Sequence, residues 1–412
     1  MPETCQTNRA RNAVFVAIAI MCLSGCAQSL GPATPNTATI GTPAKSPDGK
    51  NRPARIALLL PFGGMGEPAK IARGMKQAAE MALFEANDPT IQLIAKDDGG
   101  TPQGALAATD AAISEGAEII LGPLFGTSAA AAAPIAAKAG VPIVSFSNDA
   151  SVAGRGVYLM SFLAAEEVDR VVSYAASHGK RRFAALIAAD SYGQIVGPAF
   201  RAAVAKSGGE IALLETYAPD AASMLASAKR VFQSIADAEK AGSPIDALFV
   251  PAGHAQLAQL CPLLAYSGFD SKKVKLLGTS AWDVPVISRD DQLVGGWYAA
   301  SDPQAWAAFA GKFRKNFGNE PPRLASLAYD ATAMALALAK NPAPDRFAAA
   351  YLTREIGFSG VDGPVRLLPN GLSARGLAVL EIEKYRSVVI DAAPIAPATS
   401  RVSSASPDQL SY

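Results

Sequence analysis

Residues Gly116 to Asp149, GAEIILGPLFGTSAAAAAPIAAKAGVPIVSFSND, decide the fold. Glu118 to Leu121 is a short apolar run closed by Gly122-Pro123. Val141 to Ser145 is a second, opened by Gly140 and interrupted only by Pro142. Runs of this length without polar alternation read as strands buried on both faces. Between them, Thr127 is expected to cap a helix of small residues from Ser128 to Lys138, with Gly140 just beyond its end. Strand, helix and strand then form a right-handed βαβ unit whose functional loops lie at the carboxyl ends of the strands. Those loops are Leu124 to Ser128 and Phe146 to Ala150, and the reading places them side by side.

The same alternation extends outward. Arg55 to Leu60 is the first strand, Pro61 to Pro68 a glycine-rich loop, Ala69 to Ala86 a helix and Ile91 to Ala95 the second strand. The loop is no phosphate cradle, since GGMG fits neither the Walker spacing nor G-x-G-x-x-G. Asp97 and Asp98 read as turn and capping residues before the Thr101-Pro102 helix start. Val157 to Met160 ends this lobe. A second βα series then runs through strands at Arg182 to Ile187, Glu210 to Glu215, Asp246 to Val250, Val274 to Leu277 and Leu293 to Ala299. The helices at Gln304 to Phe317 and Arg323 to Ala339, and the strands Pro364 to Leu367 and Leu377 to Glu381, are expected to return to the first lobe. The expected organisation is lobe I over 54–160 plus 320–391 and lobe II over 161–319.

Composition narrows the function. The chain has 412 residues, 50% hydrophobic and 7% aromatic, which fits an Ala-rich α/β protein of more than one lobe. Removing the first 25 residues takes away Arg9, Arg11 and Glu3 and leaves basic and acidic side chains in balance, so there is no nucleic-acid footprint. The only histidines, His178 and His254, stand apart from the cysteines, and no metal site or cofactor is expected. His178, in ASHGKRR, reads as a helix C-terminal residue favoured by the dipole. No nucleophile elbow, catalytic triad spacing or phosphate loop appears, so the chain reads as a non-enzyme.

The ends carry their own signals. Two arginines, an apolar run from Ala13 to Cys22 and the tetrad Leu23-Ser24-Gly25-Cys26 have the order of a secretory signal peptide over 1–25. The small residues before Cys26 resemble a bacterial lipobox, which implies cleavage before Cys26 and lipid attachment to its thiol. Ala27 rather than aspartate follows, implying the outer membrane. Residues 26–53, rich in Pro, Thr and Ser, read as lipid anchor and disordered tether, and 392–412 as a disordered tail. Three of the four cysteines lie in the first 26 residues, leaving Cys261 as a core thiol and no disulfide framework.

The stretches IALLLP, KDDGGTP, EIILGPL, GVPIVSFSND, RFAALIAADSYG, KLLGTSAWD and LAYDA, in this order across Arg55 to Asp391, resemble the type I periplasmic binding proteins of the leucine/isoleucine/valine class. The resemblance implies two Rossmann-like lobes of parallel sheet flanked by helices, a hinge of several crossings, and a central cleft that holds a small polar solute for an ABC transporter. Within that class ALFEANDPTIQLIAKDDGGTP, SFSNDASVAGRGVYLMSF, LVGGWY and EPPRLASLAYDA are similar to lipoproteins that activate penicillin-binding proteins, which implies docking to a peptidoglycan synthase as the alternative. Amino-acid receptors of the class clamp their ligand with the first two polar loops, which here correspond to Gly126, Thr127 and Ser128, and to Ser147, Asn148 and Asp149. Gly126 stands where a serine is usual, and an anionic Asp149 would repel a carboxylate beside it. From the second lobe, Tyr192, His254, Ser280, Trp282 and Asp283 follow strand ends and complete the candidate ligand-binding set.

Overall fold

The computed structural model describes residues 53–394. The segment read as a signal peptide, Cys26, nearly all of the stretch read as a tether and most of the stretch read as a tail lie outside the described residues. Among the described residues no helix is long and apolar enough to cross a membrane.

The first lobe begins β1 (Ala54–Leu60), α1 (Gly66–Ala86), β2 (Ile91–Asp97), α2 (Pro102–Ser114), β3 (Ile119–Leu121), α3 (Gly126–Ala139), β4 (Ile143–Ser145) and β5 (Val157–Leu159). The second holds α4 (Ala164–Ser177), β6 (Arg182–Ala188), α5 (Ser191–Lys206), β7 (Glu210–Tyr217), α6 (Ala221–Lys240), β8 (Ala247–Phe249), α7 (His254–Tyr266), β9 (Lys275–Gly278) and β10 (Trp297–Ala300). There follow α8 (Pro303–Phe317), α9 (Ala325–Ala339), α10 (Ala349–Leu352), β11 (Val365–Leu367), β12 (Ser373–Arg375), β13 (Ala378–Glu383) and β14 (Arg386–Asp391).

One sheet runs β2-β1-β3-β4-β5, all parallel. The other runs β7-β6-β8-β9-β10, again parallel, and is extended by β13 and β14 in antiparallel register. Both parallel sets share one order, so each lobe has its topological switch between its first and third strands, where loops diverge and leave a crevice at the carboxyl edge. The central strands are buried on both faces: Ile56 to Leu60 and Phe183 to Leu186 are at most 0% exposed. That burial explains why their sequences are runs of apolar residues without alternation.

Two sequence-based expectations are corrected. The helix after β3 starts at Gly126 with Phe125 as its extended, side-chain-free cap, and Thr127 lies exposed in the first turn. The backbone settles this: Ala129 N–H already donates to Phe125 O at 2.9 Å, two residues earlier than a Thr127 cap allows.

The lobe boundary also differs. The first crossing, at 160–163, falls where expected, but the second lies at 301–302, so α8 joins the first lobe. Its Phe309 and Phe313 pack with Ala78 and Met81 of α1. The chain crosses again at 376–377, because β13 pairs with β10 (Trp297 opposite Glu381, Tyr298 opposite Leu380), and 378–391 therefore belong to lobe II. Only the β11–β12 hairpin stays with the first lobe, Val365 and Leu367 sitting in the same core as α1 and α9. Two buried strands of equal apolarity satisfy either sheet; the choice is made by non-local pairing.

Leu380 is fully buried in the second-lobe core. Leu380→Ala is expected to cost about 2–5 kcal/mol in chemical denaturation. Hydrogen exchange should show protection lost first in β9, β10 and β13, while β1 to β5 keep theirs. Loss confined to the first sheet would contradict the pairing.

Candidate functional site

The loops at the carboxyl ends of β3 and β4 meet as the sequence reading expects. Ser145 Oγ–H donates to Pro123 O at 2.9 Å and Phe146 N–H to the same oxygen at 3.0 Å, tying one loop to the other. Gly126 faces Asp149 so closely that a Cβ at Gly126 would stand 2.9 Å from Asp149 Oδ2 and 3.2 Å from Ser147 Oγ. Ser147 is buried, and its Oγ accepts from Asp149 N–H at 3.1 Å. Asp149 Oδ1 caps a short 3-10 turn, accepting from Ser151 N–H at 2.9 Å and Ser151 Oγ–H at 2.6 Å. These bonds hold its carboxyl below the usual range, so it is anionic. Ser128, fully buried in the first turn of α3, has no partner for its Oγ among the described residues.

Beside this pair lies a cavity of about 300 Å³ lined chiefly by Leu124, Phe125, Phe146 and Phe162, with Asn148 and Ser161 as its polar members. Phe125 and Phe146 are chain neighbours of the polar residues singled out from sequence. The aromatic wall could have been read there, since each immediately follows or precedes a strand-end loop residue.

The second-lobe candidates are more scattered. Tyr192, half-buried, donates its hydroxyl to Thr279 Oγ1 at 2.9 Å, and burial pushes its phenol up to about 12. Ser280, next in sequence to Thr279, is already engaged: its N–H and Oγ–H donate to the two carboxylate oxygens of Glu167 at 3.0 and 2.7 Å. Trp282 is 1% exposed, gives its indole N–H to Val250 O at 3.2 Å, and lies flat on Gly278, where a Cβ would come within 2.2 Å of the ring. The structure thus places Trp282 in the second-lobe core. Asp283 accepts from the Tyr298 hydroxyl at 3.2 Å and lines a cavity of about 430 Å³ with Trp306, Arg323 and Tyr385. His254 is exposed and lines a separate cavity of about 370 Å³ within lobe II.

His178 is the C-cap of α4, stacked on Tyr174 at 4.0 Å, in keeping with its reading as a helix end. Cys261 is buried, and desolvation pushes its thiol up. No cluster of three or more His, Cys, Asp or Glu suited to a metal occurs among the described residues.

What sequence reasoning missed is the charged cluster at the three crossings. Arg323, just before α9, pairs with the fully buried Asp362 (Nη2 to Oδ1 2.5 Å, Nη1 to Oδ2 3.2 Å) and is sandwiched between the rings of Phe162 and Trp306, 4.5 Å from each centroid. Arg375, at the end of β12, also stands over Phe162, 5.3 Å from the ring centroid, and is 7% exposed, with no hydrogen-bond partner for any guanidinium nitrogen among the described residues. Around it lie Glu166 and Asp330, each with one unpaired carboxyl oxygen. Burial raises Glu166 to about 8 and Asp330 to about 7, against the pull of the Arg375 charge. Burial likewise raises Glu167 to about 7, against its Ser280 bonds. Asp362 alone is lowered, because Arg323 bonds and charge outweigh its desolvation. These residues come from distant stretches, and only Phe162, Arg323 and Asp330 fell within motifs noted for their resemblance.

The family profile for periplasmic binding proteins matches residues 53–386. Among curated proteins, an uncharacterized protein of Rickettsia prowazekii (strain Madrid E) is 27% identical over 141 residues, 34% of this chain and 37% of that relative. The match thus spans little more than a third of the relative's length. Among solved structures, a Rhodospirillum rubrum protein assigned to branched-chain amino acid ABC transport superposes with a TM-score of 0.71 at 19% identity, covering 82% of this chain and 99% of its own. An ABC transporter substrate-binding protein from Desulfitobacterium hafniense in complex with Leu gives 0.58 at 19% identity, with 82% and 99% covered. A solute-binding protein from Rhodopseudomonas palustris in complex with 3,4-dihydroxy benzoic acid gives 0.54 at 20% identity, with 83% and 98% covered. At these identities the likeness is one of fold.

The raised carboxyls make a pH prediction. The folded protein keeps protons on Glu166, Glu167 and Asp330 that the unfolded chain releases near the ordinary values of 4.5 and 3.8. Their stabilisation is therefore fully present below those values and is lost as pH rises through about 7 to 8. The denaturation midpoint should fall between pH 5 and pH 8.5, and Glu166→Gln should flatten the upper part of that slope. A midpoint that rises over this window would contradict the assignment.

Proposed function

The chain belongs to the periplasmic binding protein family, and from that premise we propose that it is the substrate-binding protein of an ABC-type transport system, holding a small solute between its lobes without altering it. The observation that carries this reading is the repeated strand order, which sets two switch-point crevices at the carboxyl edges of sheets joined by three crossings. The cavity beside Phe125 and Phe146 lies at one of these edges. Relatives of the same fold in complex with Leu and with 3,4-dihydroxy benzoic acid support a small-solute role. Lobe I contributes Gly126, Thr127, Ser128, Ser147, Asn148 and Asp149 to the solute site, and lobe II contributes Tyr192 and the rim around Asp283. The family places the protein in the periplasm, and we assign its attachment to lipid on Cys26, with an outer-membrane location.

Any solute that binds only the folded state raises its thermal midpoint, by the equivalent of about 2.7 kcal/mol at a concentration one hundred times the dissociation constant. Screening amino acids, aromatic acids, amines, sugars and muropeptides should yield at least one such shift. If none appears while the folded body captures a penicillin-binding protein and raises its transpeptidase rate, the docking reading replaces solute delivery. For the anchor, Cys26→Ser should release the protein from membranes of the producing cell; unchanged membrane association would overturn the lipid assignment.

A further inference from the structure

The loops that follow the carboxyl ends of β1 to β10 share one electrostatic property. Their residues (61–65, 98–101, 122–125, 146–149, 160–163, 189–190, 218–220, 250–253, 279–283 and 301–302) include Asp98, Asp149, Asp190, Asp220, Asp283 and Asp302, and neither lysine nor arginine. The charged side chains of these loops are therefore all of one sign in both lobes.

A ligand carboxylate in a fold of this kind has an obvious receptor, the free N–H groups and positive dipole end of a helix rising from a strand end. At three of these helices the chain has filled that place with its own carboxylate. Asp190 accepts from Gly193 N–H at 2.8 Å at the start of α5, Asp220 from Ser223 N–H at 2.8 Å at α6, and Asp302 from Gln304 N–H at 2.8 Å at α8. The first turn of α4 holds the carboxyls of Glu166 and Glu167, which burial keeps largely protonated. At α3 the Asp149 carboxylate stands against Gly126. Of the basic groups nearby, Arg73 donates to the backbone oxygens of Phe62 and Gly64, Arg323 is forked on Asp362, and Arg375 is buried behind Phe162 beside Glu166 and Asp330.

Asp149 uses Oδ1 for its turn, whereas Oδ2, on an exposed residue, takes no hydrogen bond from another side chain or backbone group shown for it. The adjoining cavity, at about 300 Å³, is the size of a small-molecule site; its Phe125 and Phe146 offer ring faces that attract a cation, while Phe162, which already carries Arg323 and Arg375, supplies apolar surface. Acid beside aromatic rings is a receptor for positive charge carried on an apolar body.

We propose that the solute is an organic cation, an amine or quaternary ammonium with an aromatic or similarly apolar body, whose body lies against the three phenylalanines and whose charge lies toward Asp149. This rests on the solute-binding reading and names the ligand class for the same site.

The test is titration of the purified chain with phenethylamine, trimethylphenylammonium, benzoate, 4-hydroxybenzoate and leucine, read by calorimetry and thermal shift at low and high salt. The cations are expected to bind, less tightly at high salt, and the carboxylates and leucine not to. Asp149→Asn, which keeps the cap on Ser151, should weaken the cations roughly five- to tenfold, as loss of a charge-assisted contact does. The double variant Gly126→Ser with Asp149→Ser removes the close approach, frees the start of α3 and should turn preference toward benzoate. Binding of benzoate or leucine by the unaltered protein, or cation binding indifferent to Asp149→Asn, overturns the ligand class and leaves solute binding standing. A flat response to these probes and to the wider panel above removes both.

Discussion

Asp362 is a carboxylate with no solvent exposure, and much of the region between the lobes follows from how its charge is met. A buried carboxylate without a partner costs several kcal/mol. Arg323 answers it with two hydrogen bonds, and the planar guanidinium can do so while stacked, which a lysine could not. The stack is built from Phe162, on the first crossing, and Trp306, at the start of the helix after the second. One arginine therefore fastens the turn at Asp362 to the segments by which the chain leaves and re-enters the first lobe. A second guanidinium, Arg375, reaches the same phenylalanine from beside the third crossing. The hinge is thus not a bare linker, since all three crossings meet around one ring.

The charges near this ring are not all satisfied in the same way. Arg323 and Asp362 form a closed pair, while the Arg375 guanidinium shares its surroundings with Glu166 and Asp330 without a direct bond to either. Gly360 permits the approach of Asp330, whose Oδ2 would stand 2.4 Å from a Cβ there, and Val361 N–H donates to Oδ1 at 2.8 Å. Low dielectric strengthens each such interaction and equally raises the cost of each unmet group. Burial therefore holds Glu166, Glu167 and Asp330 above their ordinary values, whereas the bonds and charge of Arg323 hold Asp362 below its own.

The crevice itself obeys a different logic. Its strand-end loops carry aspartates that cap the helices rising from them, so the elements that stabilise each lobe also determine what charge the crevice presents. The glycine at 126 and the aspartate at 149 are one feature, because either a side chain at the first or a carboxylate at the second can fill that space, and not both. On the proposed solute site, binding preference then follows from a packing choice.

Read from residues alone, the alternation of apolar runs and helices already determined two α/β lobes, nearly all of the strands, the first crossing and the meeting of the β3 and β4 loops, because those features are local in periodicity and turn chemistry. It also singled out Gly126 and Asp149 as an unfavourable place for a carboxylate. Tertiary structure alone decided that α8 packs on α1 and that β13 joins β10, since two equally apolar strands carry no mark of the sheet they will enter. It alone buried Trp282, engaged Ser280 with Glu167, and gathered Phe162, Arg323, Asp362 and Arg375 from stretches more than two hundred residues apart. Periodicity records which face of an element is buried; it does not record against what, and charge pairing across such distances exists only once the chain has folded.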